Sequence, residues 1–175
     1  ALEVRESIEV LAGGGPADVV ELTLILAREM LDAAKVSGKD PEVALKDGSA
    51  MDRWRKMVKA QGGDPDASLP TAKEKLVITA ERSGTISSMD ALKVGVSAWR
   101  LGAGRARQGE TVQAGAGIEI HAKPGEKIVS GSALFTLHSD DSERFERAKQ
   151  ALEGAVSISE KGEVAERLPL VITKF

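Results

Sequence analysis

Few side chains in this 175-residue chain are of kinds that do chemistry, and spacing limits what they can do. There is no cysteine, which removes disulfides and thiolate metal sites. The two histidines, His121 and His138, fall in segments that read as adjacent strands, where they can approach each other. Without a carboxylate in a matching pattern, two imidazoles make a thin metal site, and surface or interface positions are the simpler expectation. The glycine-rich stretch LGAGRAR, Leu101 to Arg107, offers backbone N–H groups of the sort that hold phosphate. It follows a helix instead of opening one, and it lacks the P-loop lysine and the dinucleotide spacing, so a helix C-cap and loop is expected. Arg100, Arg105 and Arg107 then attract an anion weakly or pair with Glu110 and Glu119. Asp140 and Asp141 suit the start of a helix, and Trp54 and Trp99 are expected as core anchors in a chain with no tyrosine.

The elements that must position these groups divide in two. From Ala1 to Gly63 the pattern is helical: a short element over Leu2 to Leu11 stops at Gly13-Gly14-Gly15-Pro16. A longer helix follows, with Val19, Leu22, Leu26 and Met30 as one buried stripe, and Gly38 ends it. Asp40-Pro41-Glu42 reads as an N-cap with proline at the first helical position, opening a helix that carries Met51, Trp54, Met57 and Val58 to Gly62. Residues 64–73 are rich in turn formers and are the expected linker between 1–63 and 74–175.

Beyond it, Leu76 to Ala80 reads as a strand, Ser83-Gly84 as a turn and Thr85-Ile86 as a short return. Ser87 and Asp90 resemble a capping box starting a helix through Trp99, with Met89, Leu92, Val96 and Trp99 on one face and Ala91, Gly95 and Ala98 on a small-residue face. Strands are expected at Ile118 and Ile120, at Ile128, at Leu134 to Leu137, at Val156 to Ile158 and at Leu170 to Ile172. A helix over Ser142 to Leu152 turns Phe145, Ala148 and Leu152 inward. The fold class is therefore α+β.

Composition excludes several functions. Acids outnumber bases by only 27 to 24, and the bases form no stripe, so no nucleic-acid footprint appears. The longest apolar run, near Leu22 to Leu26, is broken by Arg28 and Glu29, well short of the roughly 20 residues that span a bilayer. No membrane partner and a cytoplasmic address are expected. The chain opens at Ala1 with neither methionine nor a signal pattern, which suggests a processed or truncated piece.

HAKPGEKIVSGSALFTLHSD, His121 to Asp140, resembles half of a lipoyl or biotinyl carrier module, and VITAERSGTISSMDA, Val77 to Ala91, resembles the other half. A carrier needs an exposed lysine at a hairpin tip. HSDDSERF has none, and Lys123 and Lys127 flank what reads as an ordinary Pro-Gly turn. The expectation is a barrel-sandwich fold without a swinging arm.

Several stretches together resemble the pyrimidine nucleoside phosphorylases, and among them the thymidine-cleaving members: ALEVRESIEVL, MVKAQGGDP, DALKVGVSAWRLGAGRARQGETVQAGAGIEIHAKPGEKI and LFTLHSDD. The resemblance implies a helical segment of a larger α/β domain followed by a barrel-sandwich-like α+β C-terminal domain. It implies phosphorolysis of a pyrimidine nucleoside, thymidine being the expected one, with phosphate as co-substrate and no required cofactor. The family's phosphate-holding and base-holding residues precede ALEVRE. No catalytic or substrate-binding residue is therefore assigned here, and the chain alone is expected to be inactive. The resemblance also implies that Glu6 helps bind a structural monovalent cation, potassium, together with upstream carbonyls; by itself Glu6 is a solvated acid near a helix start. A homodimer is expected for a full-length subunit. The rival expectation is a non-catalytic binding or scaffold module on the same fold.

Overall fold

The computed structural model describes residues 1–105, 107–163 and 169–174. They fall into two compact units: Ala1 and Leu2 with the chain from Leu69 to Glu163, and Glu3–Ser68 with the tail from Pro169 to Lys174.

The helical unit contains α1 (Leu2–Leu11), which begins in the other unit, α2 (Ala17–Ala33), α3 (Pro41–Lys46) and α4 (Ser49–Ala60). Asp40 caps α3 as its type and the following proline predict, its Oδ1 accepting the Glu42 N–H at 3.1 Å. The single helix expected from there is instead two. Gly48 sits at φ 80, a left-handed conformation that interrupts the helix, and Asp47 Oδ1 accepts from Ser49 N–H at 2.9 Å to start the next one. The expected α2 stripe is not buried within this chain: Leu26 is 54% exposed and Met30 72%. Residues 170–172 form no strand. A strand needs a partner to hydrogen-bond, and this tail is held by a side chain, Lys174 Nζ donating to Glu29 Oε1 at 2.6 Å.

The second unit holds two three-stranded antiparallel sheets. Its elements are β1 (Glu74–Thr79), β2 (Gly84–Met89), α5 (Ala91–Ala98), β3 (Gly117–Ile120), β4 (Lys127–Ile128), β5 (Ala133–Ser139), α6 (Arg144–Leu152) and β6 (Val156–Ser159). The sheet orders are β1-β5-β3 and β4-β2-β6. The two half-modules of the sequence thus interdigitate, each giving one strand to each sheet. The Thr85-Ile86 segment does not return along β1: it crosses to the other sheet, where Thr85 faces Lys127 and Ser159. Backbone crowding fixes Gly84 at this crossing, since a Cβ there would lie 2.7 Å from Ile158 Cγ2 and 2.8 Å from the Ser159 oxygen.

The core between the sheets is closed, with Ile86, Leu101 and Leu137 at 0% exposure and Phe135, Ala148, Leu152 and Ala155 beside them. The inward face of α6 is the expected one. α5 departs from expectation twice. Ser87 and Ser88 stay in β2, so the helix starts at Ala91 with Asp90 as its cap, Oδ1 accepting from Lys93 N–H at 3.1 Å. Its inward residues are Val94, Ser97 and, in the widened turn Trp99–Ala103 that continues it, Leu101; Leu92 is 76% exposed. Ser97 is fixed there because its hydroxyl donates to the Ala148 carbonyl at 2.9 Å, tying α5 to α6.

Candidate functional site

The widened turn after α5 organises the richest surface of the second unit. Gly102 closes it at φ 108, and a Cβ there would approach Gln113 Cδ to 2.9 Å, so both conformation and space require glycine. Gln113 is held from three sides: its N–H donates to the Gly102 carbonyl at 3.0 Å, and its Oε1 accepts from Asp140 N–H at 2.8 Å and from the Ser139 hydroxyl at 3.2 Å. The single Ser139 hydroxyl proton is shared between Gln113 Oε1 and the nearer Leu101 carbonyl, at 2.8 Å. The turn, the loop to β3 and the end of β5 are thereby one rigid assembly. Trp99 is 43% exposed, not a core anchor: its ring lies against Gly104, and its Nε1–H donates to the Arg105 carbonyl at 3.1 Å. Trp54 is half-buried in the helical unit.

This assembly and α6 enclose a cleft of about 330 Å³, lined by Trp99, Arg100, Glu110, Gln113, Arg144 and Arg147 among others. Arg100 Nη1 donates to the Arg147 carbonyl at 2.6 Å, and Arg144 Nη1 makes a long bond to the Arg100 carbonyl at 3.5 Å. Arg144 Nε also meets Asp141 Oδ2 at 3.4 Å. The sequence had singled out Arg100 with Arg105 and Arg107; the structure joins Arg100 to α6 instead, and neither Arg105 nor Arg107 lines the cleft. A second cleft, of about 570 Å³, opens between β1, β5, β6 and α6, with Ile78, Leu134, Leu152 and Val156 as its apolar wall and Arg82 and Lys149 on its rim. Both cations are engaged, Arg82 with the Ile158 carbonyl at 2.8 Å and Lys149 with Glu146 at 2.8 Å.

The histidines take separate partners. His138 is buried on β5, with Nε2 2.8 Å from Glu119 Oε2 across the pair of strands, while exposed His121 places Nε2 2.7 Å from Thr136 Oγ1. His138 is thus a core histidine, not a surface one. β5 is the central strand of its sheet, and six of its seven residues are buried, on both faces. Among the described residues no group of three or more His, Cys, Asp or Glu is placed to hold a metal.

Glu6 is exposed in the second turn of α1; Glu3, not Glu6, is the acid of the first turn. Asp140 and Asp141 precede α6, which starts at Arg144. Asp141 Oδ1 accepts from Glu143 N–H at 3.0 Å, and Asp140 Oδ1 from Lys73 N–H at 3.1 Å. The Lys123–Lys127 turn is pinned against β2, the Gly125 N–H donating to the Ile86 carbonyl at 2.8 Å and Ile86 N–H to the Glu126 carbonyl at 2.9 Å. A tip laced to a neighbouring strand is a structural turn, not the base of a swinging arm. No helix among the described residues is long and apolar enough to cross a membrane.

Residues 85–159 match the family described as Pyrimidine nucleoside phosphorylase C-terminal domain. Over 158 residues, 90% of its length, the chain is 56% identical to a thymidine phosphorylase of Mycobacterium tuberculosis, of which it covers 37%. It is 35% identical to a pyrimidine-nucleoside phosphorylase of Geobacillus stearothermophilus over 91% of the chain and 39% of the relative. Against the Staphylococcus epidermidis enzyme of that name, identity is 31% over 99% of the chain and 42% of the relative. The chain therefore spans about two fifths of the length of these relatives.

Proposed function

We propose that the chain, whose residues 85–159 match the pyrimidine nucleoside phosphorylase C-terminal domain, is the C-terminal part of an enzyme that cleaves thymidine with phosphate. The observation that carries this reading is the 56% identity to a thymidine phosphorylase along 90% of the chain. In the reaction the bond from C1′ of the deoxyribose to N1 of thymine breaks, and its electron pair leaves with the base. A phosphate oxygen forms the new bond to C1′, giving 2-deoxyribose 1-phosphate, and the base takes up a proton. Such a step needs donors and cations that fix the phosphate and stabilise charge on the departing base. We assign none of those groups to this chain, and the polypeptide alone is proposed to be inactive.

The division into 1–63, a linker over 64–73 and a C-terminal domain from 74 is proposed on the same basis. The open stripe of α2, Leu26 and Met30 foremost, supports a helical layer that packs on further chain. A full-length subunit is proposed to be cytoplasmic and homodimeric and to need no cofactor beyond its phosphate co-substrate. In it, Glu6 is proposed to give one oxygen ligand to a potassium ion whose remaining oxygens come from outside this chain. The scaffold alternative has no observation in its favour. The test is product analysis on a subunit of the relatives' length, supplied with thymidine and phosphate. Equal amounts of thymine and pentose 1-phosphate, with no turnover when phosphate is omitted, are expected; thymine release without phosphate, or none at all, overturns the reading.

A further inference from the structure

We propose that the cleft between the widened turn after α5 and α6 is a binding site for a phosphate-type oxyanion, either inorganic phosphate or the phosphoryl end of a phosphomonoester. Arg144 and Arg147 are three residues apart and share a face of α6, and the turn delivers Arg100 to the same cleft. All three arginines line a space of about 330 Å³ that is ample for a tetrahedral anion, and a planar guanidinium carries five N–H donors, more than the contacts of Arg100 and Arg144 described above use. Arg100 is oriented by a backbone carbonyl, that of Arg147, which fixes its direction without neutralising its charge. Arg144 combines a carbonyl contact with a single contact to Asp141 through Nε.

The charges facing the cleft are the three arginines, the Glu110 carboxylate on its rim and Asp141 beside Arg144, leaving an excess of positive charge. Gln113 completes the donor set: its oxygen is committed to Ser139 and Asp140, so its amide NH₂ is the end that remains to donate. The Trp99 ring forms one wall, fixed by its bond to the Arg105 carbonyl. Arginine pairs with phosphate oxygens through two parallel N–H bonds, which a spherical halide cannot accept. The site therefore discriminates phosphate from chloride. The inference uses only the geometry of this unit, so it stands or falls separately from the phosphorolysis reading.

Trp99 supplies the readout. In the full chain carrying Trp54→Phe, sodium phosphate is titrated against Trp99 fluorescence, with sodium chloride at equal ionic strength as the control and a pentose 1-phosphate as a second titrant. The expected result is a saturable change with either phosphate compound, at least tenfold weaker in affinity when Arg144→Gln and Arg147→Gln are combined and unchanged in Arg105→Gln. Stronger binding of one titrant identifies whether the free anion or the ester is the ligand. In parallel, amide shifts on the chain with no substitution in the cleft are expected at Gly102, Gly104 and the Trp99 indole. No saturable change with either phosphate compound, an equal change with chloride, or affinity unaltered by loss of both arginines overturns the site.

Discussion

The two units of this chain solve the problem of burial differently. In the sheet unit, side chains from both sheets, α5 and α6 close a core in which Ile86, Leu101, Leu137 and Ala148 are wholly shielded. In the helical unit, α2, α3 and α4 shield no side chain completely, Val10 of α1 is the only buried apolar residue there among the described residues, and Leu26, Met30 and Val43 are more than half exposed. An interdigitated pair of sheets is its own partner; a layer of amphipathic helices is half of an interface. The sheet unit therefore shields its own core, while the helical unit leaves an apolar face open.

The sharpest way to break this contrast is to make the same truncation in both units. Leu137→Ala is expected to cost about 2–5 kcal/mol, because a shielded side chain leaves a cavity. Leu26→Ala is expected to cost about 0.5 kcal/mol or less, as at other exposed sites. Urea unfolding read at Trp99, with Trp54→Phe, reports the sheet unit, and Trp54 fluorescence, with Trp99→Phe, reports the helical unit. Coincident midpoints and equal losses would show that the units share one core after all.

A smaller effect separates two glycines within the sheet unit. A Cβ at Gly115 would stand 2.5 Å from the Ala72 backbone nitrogen and 2.7 Å from the Thr71 carbonyl carbon, groups that cannot swing aside. Gly115→Ala is expected to lower stability by about 1–3 kcal/mol through overpacking. Gly95 in α5 meets nothing within 4 Å, and Gly95→Ala is expected to raise stability by about 0.5–1 kcal/mol through helix propensity. Thermal melts of the two variants should move in opposite directions. Met30→Glu is expected to leave unfolding within about 0.5 kcal/mol of the parent chain while reducing self-association in sedimentation velocity.

The smallest expected effect is acid sensitivity of the helical unit. The Asp40 carboxyl lies below its ordinary 3.8 chiefly because the Glu42 backbone N–H donates to it, and Arg28 adds to this. Glu42 lies below 4.5 through its hydrogen bond with Lys46, and Asp47 below 3.8 through Ser49. Folded values below unfolded ones mean that the stabilisation is fully present above the ordinary carboxylate range. It is lost as pH falls through the lowered values. These groups are solvent-exposed, so salt screens the effect. Trp54 midpoints should therefore fall modestly below about pH 4, and Asp40→Asn should flatten that fall; an unchanged slope in Asp40→Asn would remove the cap from the account.

Local rules made much of the fold legible in the sequence. The Asp40-Pro41 cap, the inward face of α6 and the position of β5 follow from caps and periodicity. What stayed hidden depended on partners distant in sequence. Ser87 and Ser88 read as a helix start, but pairing of β2 with β6 keeps them extended. α5 is only eight residues long and apolar on more than one side, so the bond from Ser97 to Ala148, 51 residues away, decides which side turns inward. His138 looked like a surface residue because nothing local reveals that β5 is a central strand. The arginine cleft was invisible for the same reason, Arg100 and Arg144 being 44 residues apart. Leu26 and Met30 carry the apolar spacing of a buried stripe, yet both are exposed among the described residues, and periodicity alone does not tell a covered face from an open one.

The most direct test of the account is thymidine phosphorolysis by this 175-residue chain, set beside a subunit of the relatives' length under identical thymidine and phosphate. The account predicts thymine release by the longer subunit and none by this chain, even at high protein concentration. Turnover by this chain alone would contradict it, because the groups that hold phosphate and stabilise the departing base would then have to lie among the residues described above.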